Sequence, residues 1–300
     1  MQSVDMDQPP FVSIVVCTYN RKKLLKDCLI SIFSAEYPKS RYEVIIVDGG
    51  SNDGTKELCG DFPEIRFVTE SKLGLAYARN KGAQLARGSI VAYTDDDCIV
   101  DKQWLWSLVL GFHTSEAIMG VGGPVYPLHP ETIPKKILVK AALGLYDEGQ
   151  VAKPIQDIIT SNSAFKTEIF RFMRFDESLG VTRRGKLILS GEDTDFCQTL
   201  VASGHRLLYT PYAKVYHQIC HERIRVQYIV RRAMHTGFGR TRLFLKKKHS
   251  RIWAVRYSLG QLVQCSLRML SNNSFTSCYN LIVHMSTLVI STTGLDIILL

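Results

Sequence analysis

The chain has 300 residues, enough for one large domain or one domain with an appendage, and its composition shows no collagen-like or disordered bias. It carries 37 Lys and Arg against 28 Asp and Glu, and the net charge of +9 points to an anionic partner: phosphate, nucleic acid or lipid headgroup. The eight cysteines form neither a Cys-x-x-Cys pair nor a zinc-ligand pattern, which fits a reducing compartment, and the opening MQSVDMDQPP lacks the basic and apolar parts of a secretory signal.

In chain order, FVSIVVCTYN (Phe11 to Asn20) is a β-branched run with a polar end, the pattern of a buried parallel strand. KLLKDCLISIFS follows with Leu24, Leu25, Cys28, Leu29 and Ile32 on one helical stripe. YEVIIVDGGSNDGT predicts a second strand, a glycine-rich turn and a helix start, and EIRFVTE a short third strand. LGLAYARNKGAQLA predicts a helix and GSIVAYT a fourth strand, so strands and helices alternate as in a doubly wound α/β sheet. The proline-bearing stretch from Gly122 to about Ser161 reads as loops around a short helix near KKILVKAALGLY. SNSAFKTEIFRFM predicts a strand running into a helix, and GEDTDFCQTLVASG a loop entering a helix that Gly204 ends. RLLYTPYAKVYHQ adds two short strands around Pro211.

Ligands of such sheets bind beyond the carboxyl ends of the strands, and three of those ends are polar here: Thr18-Tyr19-Asn20, Asp48 with its glycines, and Asp95-Asp96-Asp97. Three adjacent carboxylates face solvent, cap a helix or hold a cation. On an extended strand Asp95 and Asp97 share one face and suit Mg²⁺ or Mn²⁺ bridging a diphosphate, with Asp96 turned elsewhere. The plain alternative is a solvated turn ahead of the helix at Trp104, for which Asp101 is the better N-cap. Asp48 serves either a ligand or an ordinary strand-to-helix turn, with Asp53 as the cap of the next helix. Glu192 and Asp193 stand at a helix mouth, where a carboxylate is a general base or simply a cap. His217 follows an aromatic strand and by itself reads as a core histidine.

The segments VSIVVCTYNR, VIIVDGGSNDGT, GLAYARNKGAQLARGSIVAYTDDDC, SNSAFKTEIF and SGEDTDFCQTLVASGHRLLYTPYAKVYH occur in one order, and together they closely resemble the family 2 glycosyltransferases. The resemblance covers roughly Phe11 to Gln218, about two-thirds of the chain. It implies a mixed, mostly parallel α/β sheet flanked by helices (glycosyltransferase A-type, Rossmann-like), a nucleotide-diphosphate-sugar donor, and Mg²⁺ or Mn²⁺. Carried over by position, Thr18, Tyr19 and Asn20 line the nucleotide pocket with Arg21 beside it, Asp48 faces the base or ribose, and Asp95 reaches the ribose side. Asp97 becomes the metal ligand, with His217 near the diphosphate or metal. Arg79 and Asn80 belong to the helix approaching the donor. Asp193 becomes the catalytic base, with Glu192 supporting the acceptor, and Asn162 lies near sugar and acceptor. Many members carry two acids where this chain has Asp48-Gly49, which leaves the base of the donor open. The Gln-x-x-Arg-Trp signature of processive members is absent after Gly191-Glu192-Asp193, so a single addition is expected. Arg183, Arg184 and Lys186 either close over the phosphates or form a solvated loop.

Beyond His221 come Arg223, Arg225, Arg231, Arg232, Arg240, Arg242, Lys246, Lys247, Lys248, Arg251 and Arg256, on segments of amphipathic pattern. The expected division is a tail over 1–10, a catalytic domain over 11–220 and a helical C-terminal region over 221–300. The basic region fits an anionic membrane surface, and thus the cytoplasmic side of the cell membrane with a glycan or polyisoprenyl-linked acceptor. Residues 279–300 have membrane-spanning length but contain His284, Asp296 and hydroxyls, so a buried or interfacial helix and a single span both stay open. Nucleic acid is not expected, because no recognition motif or aromatic platform accompanies the charge. The rival readings are a nucleotidyltransferase, which would want glycines after the first strand, and a non-catalytic sugar-nucleotide-binding or membrane scaffold, which would want the acids lost.

Overall fold

The run VSIVVCT forms β1 (Val12–Thr18), covered on both faces as a central parallel strand must be. Its alternate side chains feed two cores: Val12, Ile14 and Val16 enter one, Val15 the other. The structure, a computed structural model, describes residues 8–72, 74–134, 140–181, 188–189, 191–246, 255, 258–262 and 275–293. The described chain divides into two compact units: one runs to Leu128 and includes Leu145–Glu177 and Glu192–Gln218, and the other comprises His129–Gly144, Ser178–Gly191 and the chain from Ile219 on.

In the first unit β1 pairs in parallel with β2 (Tyr42–Asp48) and β4 (Ile90–Asp95), and β2 pairs with β3 (Ile65–Thr69). Downstream come β5 (Cys98–Val100), β6 (Ile118–Gly122), β7 (Val125–Pro127), β8 (Lys153–Ile155) and β9 (Asn162–Lys166). The short strands β10 (Gly180–Val181) and β11 (Ile188–Leu189) belong to the second unit, and β12 (Arg206–Tyr209) and β13 (Val215–His217) return to the first. The main sheet has the order β3-β2-β1-β4-β9-β6-β12-β8. It is mixed and mostly parallel, as expected: β9 opposes both its neighbours and β8 opposes β12, while the other strands share one direction. A separate sheet of order β5-β13-β7 lies at the polar end of β4.

Helices cover both faces. On one side lie α1 (Lys22–Phe33), through Leu25, Cys28, Leu29 and Ile32, the short α2 (Thr55–Gly60), and α4 (Trp104–Phe112). On the other lie α3 (Leu75–Leu85) and α5 (Glu192–Ala202), which contributes Phe196, Cys197 and Leu200. α3 buries the small residues Ala76, Ala78, Gly82 and Ala83 together with Arg79. A Cβ at Gly82 would fall 2.3 Å from Val15 Cγ1, so glycine is what lets this helix lie so close to β1. The strand predicted to run into a helix from Asn162 instead enters a 3-10 segment over Thr167–Arg171. α5 ends as expected: Gly204 takes φ +88 and its N–H donates to Val201 O at 3.0 Å.

In the second unit, α6 (Val226–Lys246) packs on α7 (Phe275–Thr293). Ile229, Ala233, Tyr279 and Val283 form its core with Ala142. A Cβ at Gly237 would lie 2.5 Å from Val283 O, and Thr287 Oγ1 donates to Gly237 O at 3.2 Å. Of the hydroxyls that complicate a membrane span, that of Thr287 is thus turned toward a neighbouring helix. Among the described residues no helix is long and apolar enough to cross a membrane. The helix expected near residues 135–146 falls partly outside the described residues, at 135–139, and 140–144 form a turn.

Candidate active site

The strand register gathers the polar ends. Thr18 pairs with Asp48, and Cys17 with Asp95, so the ends of β1, β2 and β4 form one edge. The loops after β1 and β2 are laced to each other across it. Gly49 N–H donates to Thr18 O (2.9 Å), Asn20 N–H to Ser51 Oγ (2.8 Å), Asn52 N–H to Asn20 Oδ1 (2.8 Å) and Lys22 N–H to Asp53 Oδ2 (2.9 Å). Asn20 adopts φ +52, a conformation asparagine tolerates better than most residues. Tyr19 stands 54% exposed at the rim, next to Gly49. The N-cap positions are Arg21 for α1 and Gly54 for α2, not Asp53 as expected for the latter; Asp53 instead accepts from the first N–H of each helix, Lys22 N–H and, at 3.2 Å, Thr55 N–H.

Asp48, by contrast, is buried and engaged by its own turn. It accepts from Gly50 N–H (2.9 Å), Ser51 N–H (2.8 Å) and the Ser51 hydroxyl. These bonds give the turn reading of Asp48 a full account.

The three aspartates separate differently from the alternation expected of a strand. β4 ends at Asp95, and Asp96 and Asp97 lie in the turn before β5, where the two-residue period no longer applies. Asp96 accepts from Thr18 Oγ1 (2.8 Å) and Arg21 Nη1 (3.0 Å); Asp97 Oδ2 accepts from the same Arg21 nitrogen (3.0 Å) and lies 3.2 Å from His217 Nε2. Asp96 and Asp97 therefore share one cation, whereas Asp95, the most exposed of the three, lies 3.6 Å from Arg79 Nη2. Burial pushes the Asp96 carboxyl up to about 6, with Arg21 opposing and the neighbouring Asp97 reinforcing the shift. His217 arrives through β13, which pairs antiparallel with β5 so that His217 lies opposite Cys98. Gln218 N–H then donates to Asp97 O at 2.7 Å, fixing the turn.

Arg79 ties this edge to α5. It is buried on α3, and its Nη1 donates to Glu192 Oε1 at 2.8 Å. Its guanidinium lies 5.8 Å from the Phe175 ring centroid, within an aromatic group that includes Tyr93 and Phe196. Burial works against the charge of Arg79, but Glu192, Asp95 and Asp193 outweigh it and the group stays protonated. Glu192 thus has a structural partner. Asp193, next along in the first turn of α5, is half-buried, and its Oδ1 accepts from Thr194 N–H at 2.9 Å.

Two of the predicted site residues have other work. Asn80 sits one helical step round α3 from Arg79 and clamps the 175–177 segment: Nδ2 donates to Phe175 O (2.9 Å) and Glu177 Oε1 (3.2 Å), and Oδ1 accepts from Phe175 N–H (2.9 Å). It lines a separate concavity of about 450 Å³ with Tyr77, Lys81 and Phe170. Asn162 is wholly buried; it accepts from Trp104 Nε1 (2.8 Å) and donates to Pro124 O (2.8 Å) and Ala213 O (2.6 Å). It holds three chain segments together. Arg183, Arg184 and Lys186 lie outside the described residues. The sequence did not reveal that Arg21 and Thr18 bind Asp96; the available signal was an arginine just past the first polar strand end, opposite an acidic triplet.

The mixed α/β sheet flanked by helices, with an acidic turn at its carboxyl edge, is a fold of the glycosyltransferase A type. The comparisons agree: the model of the family described as Glycosyl transferase family 2 matches residues 13–175, and the chain belongs to that family. Glucosyl-dolichyl phosphate glucuronosyltransferase of Haloferax volcanii is 26% identical over 241 residues, 76% of each chain. Glycosyltransferase AglE of the same organism is 41% identical over 102 residues, 32% of this chain and 33% of that protein. Among solved structures, the mannosyltransferase PcManGT from Pyrobaculum calidifontis, in complex with GDP-Man and Mn2+, superposes with a TM-score of 0.63 at 18% identity. That match covers 98% of this chain and 90% of the other, a likeness of fold.

Proposed function

We propose that the protein moves a sugar from a nucleotide-diphosphate donor to a hydroxyl of a glycan or polyisoprenyl-linked acceptor, with inversion and one addition per encounter. The observation that carries this reading is the single edge shared by Asp95, Asp96 and Asp97, Arg21 and His217, joined through Arg79 to the acidic start of α5. Asp193 accepts the proton of the acceptor hydroxyl. The hydroxyl oxygen bonds to the anomeric carbon while the bond from that carbon to the diphosphate oxygen breaks, and the nucleotide diphosphate leaves. Thr18, Tyr19, Asn20 and Arg21 hold the nucleotide side of the donor. Asp95 stands toward the ribose, and Glu192 orders the start of α5 through Arg79.

The residues fit a hard divalent cation, Mg²⁺ or Mn²⁺. Among the described residues no group of three or more histidine, cysteine or acidic side chains is disposed to hold a metal. Asp97 and His217 would supply the protein's share, leaving positions for phosphate oxygens and water, the habit of ions that bind through one or two carboxylates and the substrate. A cation is already accommodated, since the Arg21 guanidinium sits on Asp97 Oδ2. Bound there, a divalent ion would offset the charge developing on the leaving diphosphate.

Support for a membrane address comes from α6. Val226, Val230 and Met234 are exposed one turn apart along one face, with Arg225 and Arg231 exposed beside them, the pairing that suits an anionic bilayer surface. The relative named for glucosyl-dolichyl phosphate favours a lipid-linked acceptor, and the exposed arginines beside this face of α6 favour the cytoplasmic side. A panel of nucleotide sugars tested by thermal shift with and without Mn²⁺ identifies the donor: stabilisation that needs both partners supports the reading. Asp193→Asn is expected to lose about 10²–10⁴-fold in turnover while still binding the donor. Near-normal transfer by that variant would remove Asp193 from the role of base.

A further inference from the structure

Arg21 occupies an unusual position for a donor-binding residue. One nitrogen, Nη1, donates to both Asp96 Oδ1 and Asp97 Oδ2, each at 3.0 Å. The same Asp97 oxygen lies 3.2 Å from His217 Nε2. A carboxylate oxygen has two lone pairs, and these two neighbours account for both. A divalent ion held by Asp97 Oδ2 and His217 Nε2 would take the place of the hydrogen between those two atoms, since a ligating nitrogen no longer donates, and would lie beside the Arg21 nitrogen on the same oxygen. His217 is held in a three-stranded sheet and is 5% exposed, whereas the Arg21 side chain is 41% exposed. Arg21 is the partner able to leave.

Its backbone would not be disturbed by that departure. Arg21 stands at the entry of α1, and its carbonyl accepts from Leu25 N–H at 3.0 Å, a bond independent of where the guanidinium points. Nor would Asp96 be left bare, because Thr18 Oγ1 donates to its other oxygen at 2.8 Å. Electrostatics pushes the same way. Burial works against the charge on Arg21 while Asp96 and Asp97 sustain it, so the guanidinium is the counter-charge of this turn. A divalent ion brought onto Asp97 beside that guanidinium meets like-charge repulsion at close range.

We propose that Arg21 is a resident counter-cation that a divalent metal displaces from Asp97 Oδ2 by like-charge repulsion, and that an incoming diphosphate gives the displaced guanidinium its new partner. The inference rests on the reading of Asp97 as a metal ligand. Metal and diphosphate then bind cooperatively, and the ion enters with the donor rather than ahead of it. Arg21 acts here as a positioning residue.

The test measures binding of MnCl₂ to the full chain by the loss of the free-ion electron paramagnetic resonance signal, alone and with inorganic pyrophosphate, with pyrophosphate-only blanks. Arg21→Gln is expected to bind Mn²⁺ alone on the order of tenfold more tightly than the unaltered protein, the yield of releasing one charge-assisted hydrogen bond that is partly screened by solvent. The enhancement by pyrophosphate should shrink in that variant, and Arg21→Lys should resemble the unaltered protein. Asp97→Asn should lose Mn²⁺ in every background. If Arg21→Gln binds Mn²⁺ no more tightly while Asp97→Asn still loses it, the displacement is wrong and the metal assignment stands. If Asp97→Asn binds as well as the unaltered protein, the metal assignment itself fails. The unaltered protein gives an independent check that needs no variant: equal Mn²⁺ affinity with and without bound pyrophosphate overturns the proposal.

Discussion

Replacing Arg79 by Met tests whether the link between the acidic edge and α5 holds the fold. The side chains of Arg79 and Glu192 are 4% and 9% exposed and 2.8 Å apart, so removing the cation takes the charge of Arg79 away from a buried carboxylate. One-sided loss of such a pair costs about 3–5 kcal/mol, and the lost contact with Phe175 adds about 0.5–2 kcal/mol. Asp95 contributes little to the loss, since it lies 3.6 Å away and keeps about a third of its side chain exposed. The bond from Tyr93 OH to Arg79 O involves the main chain and survives the substitution. Arg79→Met should therefore lower stability by about 4 kcal/mol, Glu192→Gln by about 3 kcal/mol, and the double variant by much less than their sum. Urea unfolding followed by tryptophan fluorescence measures all four corners of the cycle, with the buried Trp104 as one reporter. A coupling energy below about 0.5 kcal/mol, or a single-variant cost below about 1 kcal/mol, would refute the reasoning.

Other outcomes can be stated more briefly. Asn162→Ala strips partners from Trp104 Nε1, Pro124 O and Ala213 O, and a loss on the order of 3–5 kcal/mol is expected in chemical denaturation; a stable variant with a selectively altered acceptor KM would instead return Asn162 to the acceptor site. Gly82→Ala should cost about 1–3 kcal/mol through the clash with Val15, measurable as a fall in Tm, and an unchanged Tm would show that α3 can lift away freely. His284 is held neutral down to about 4, by burial and then by Arg240, whereas an unfolded chain takes up that proton near 6.5. Its stabilising share is thus complete above that ordinary value and fades as pH falls toward 4, with a ceiling of about 3 kcal/mol before screening. Melting curves from pH 7 to 4.5 should fall less steeply for His284→Gln, and parallel slopes would contradict this.

The strands that place the site were legible because both of their faces are covered: VSIVVCT and YEVIIVD are almost wholly buried and read as continuous apolar runs. The helical stripe Leu25, Cys28, Leu29 and Ile32 was legible for the same reason. Insertion of β9, antiparallel between β4 and β6, was not, since strand order depends on contacts between residues far apart in sequence. Alternation misled at Asp96 because it presumes that the strand continues, and β4 stops one residue earlier. Resemblance carried Asn80 and Asn162 toward the ligand by position alone, yet what an amide bonds to depends on which backbone groups fold around it. For Asn162 those groups come from chain segments 38 and 51 residues away.

The lacing of the loops after β1 and β2 has a consequence for how ligands are greeted. Asn20 and Asp53 fasten these loops to each other with side-chain bonds that exist before any ligand arrives. Their conformational entropy is surrendered during folding, so a ligand that lands on this edge need not order it. Such an edge works as a mould rather than a glove. Swapping one loop for another family member's would fail unless its opposite number came too, and new donor preferences are better sought at the exposed Tyr19, which the lacing leaves unbound at the rim.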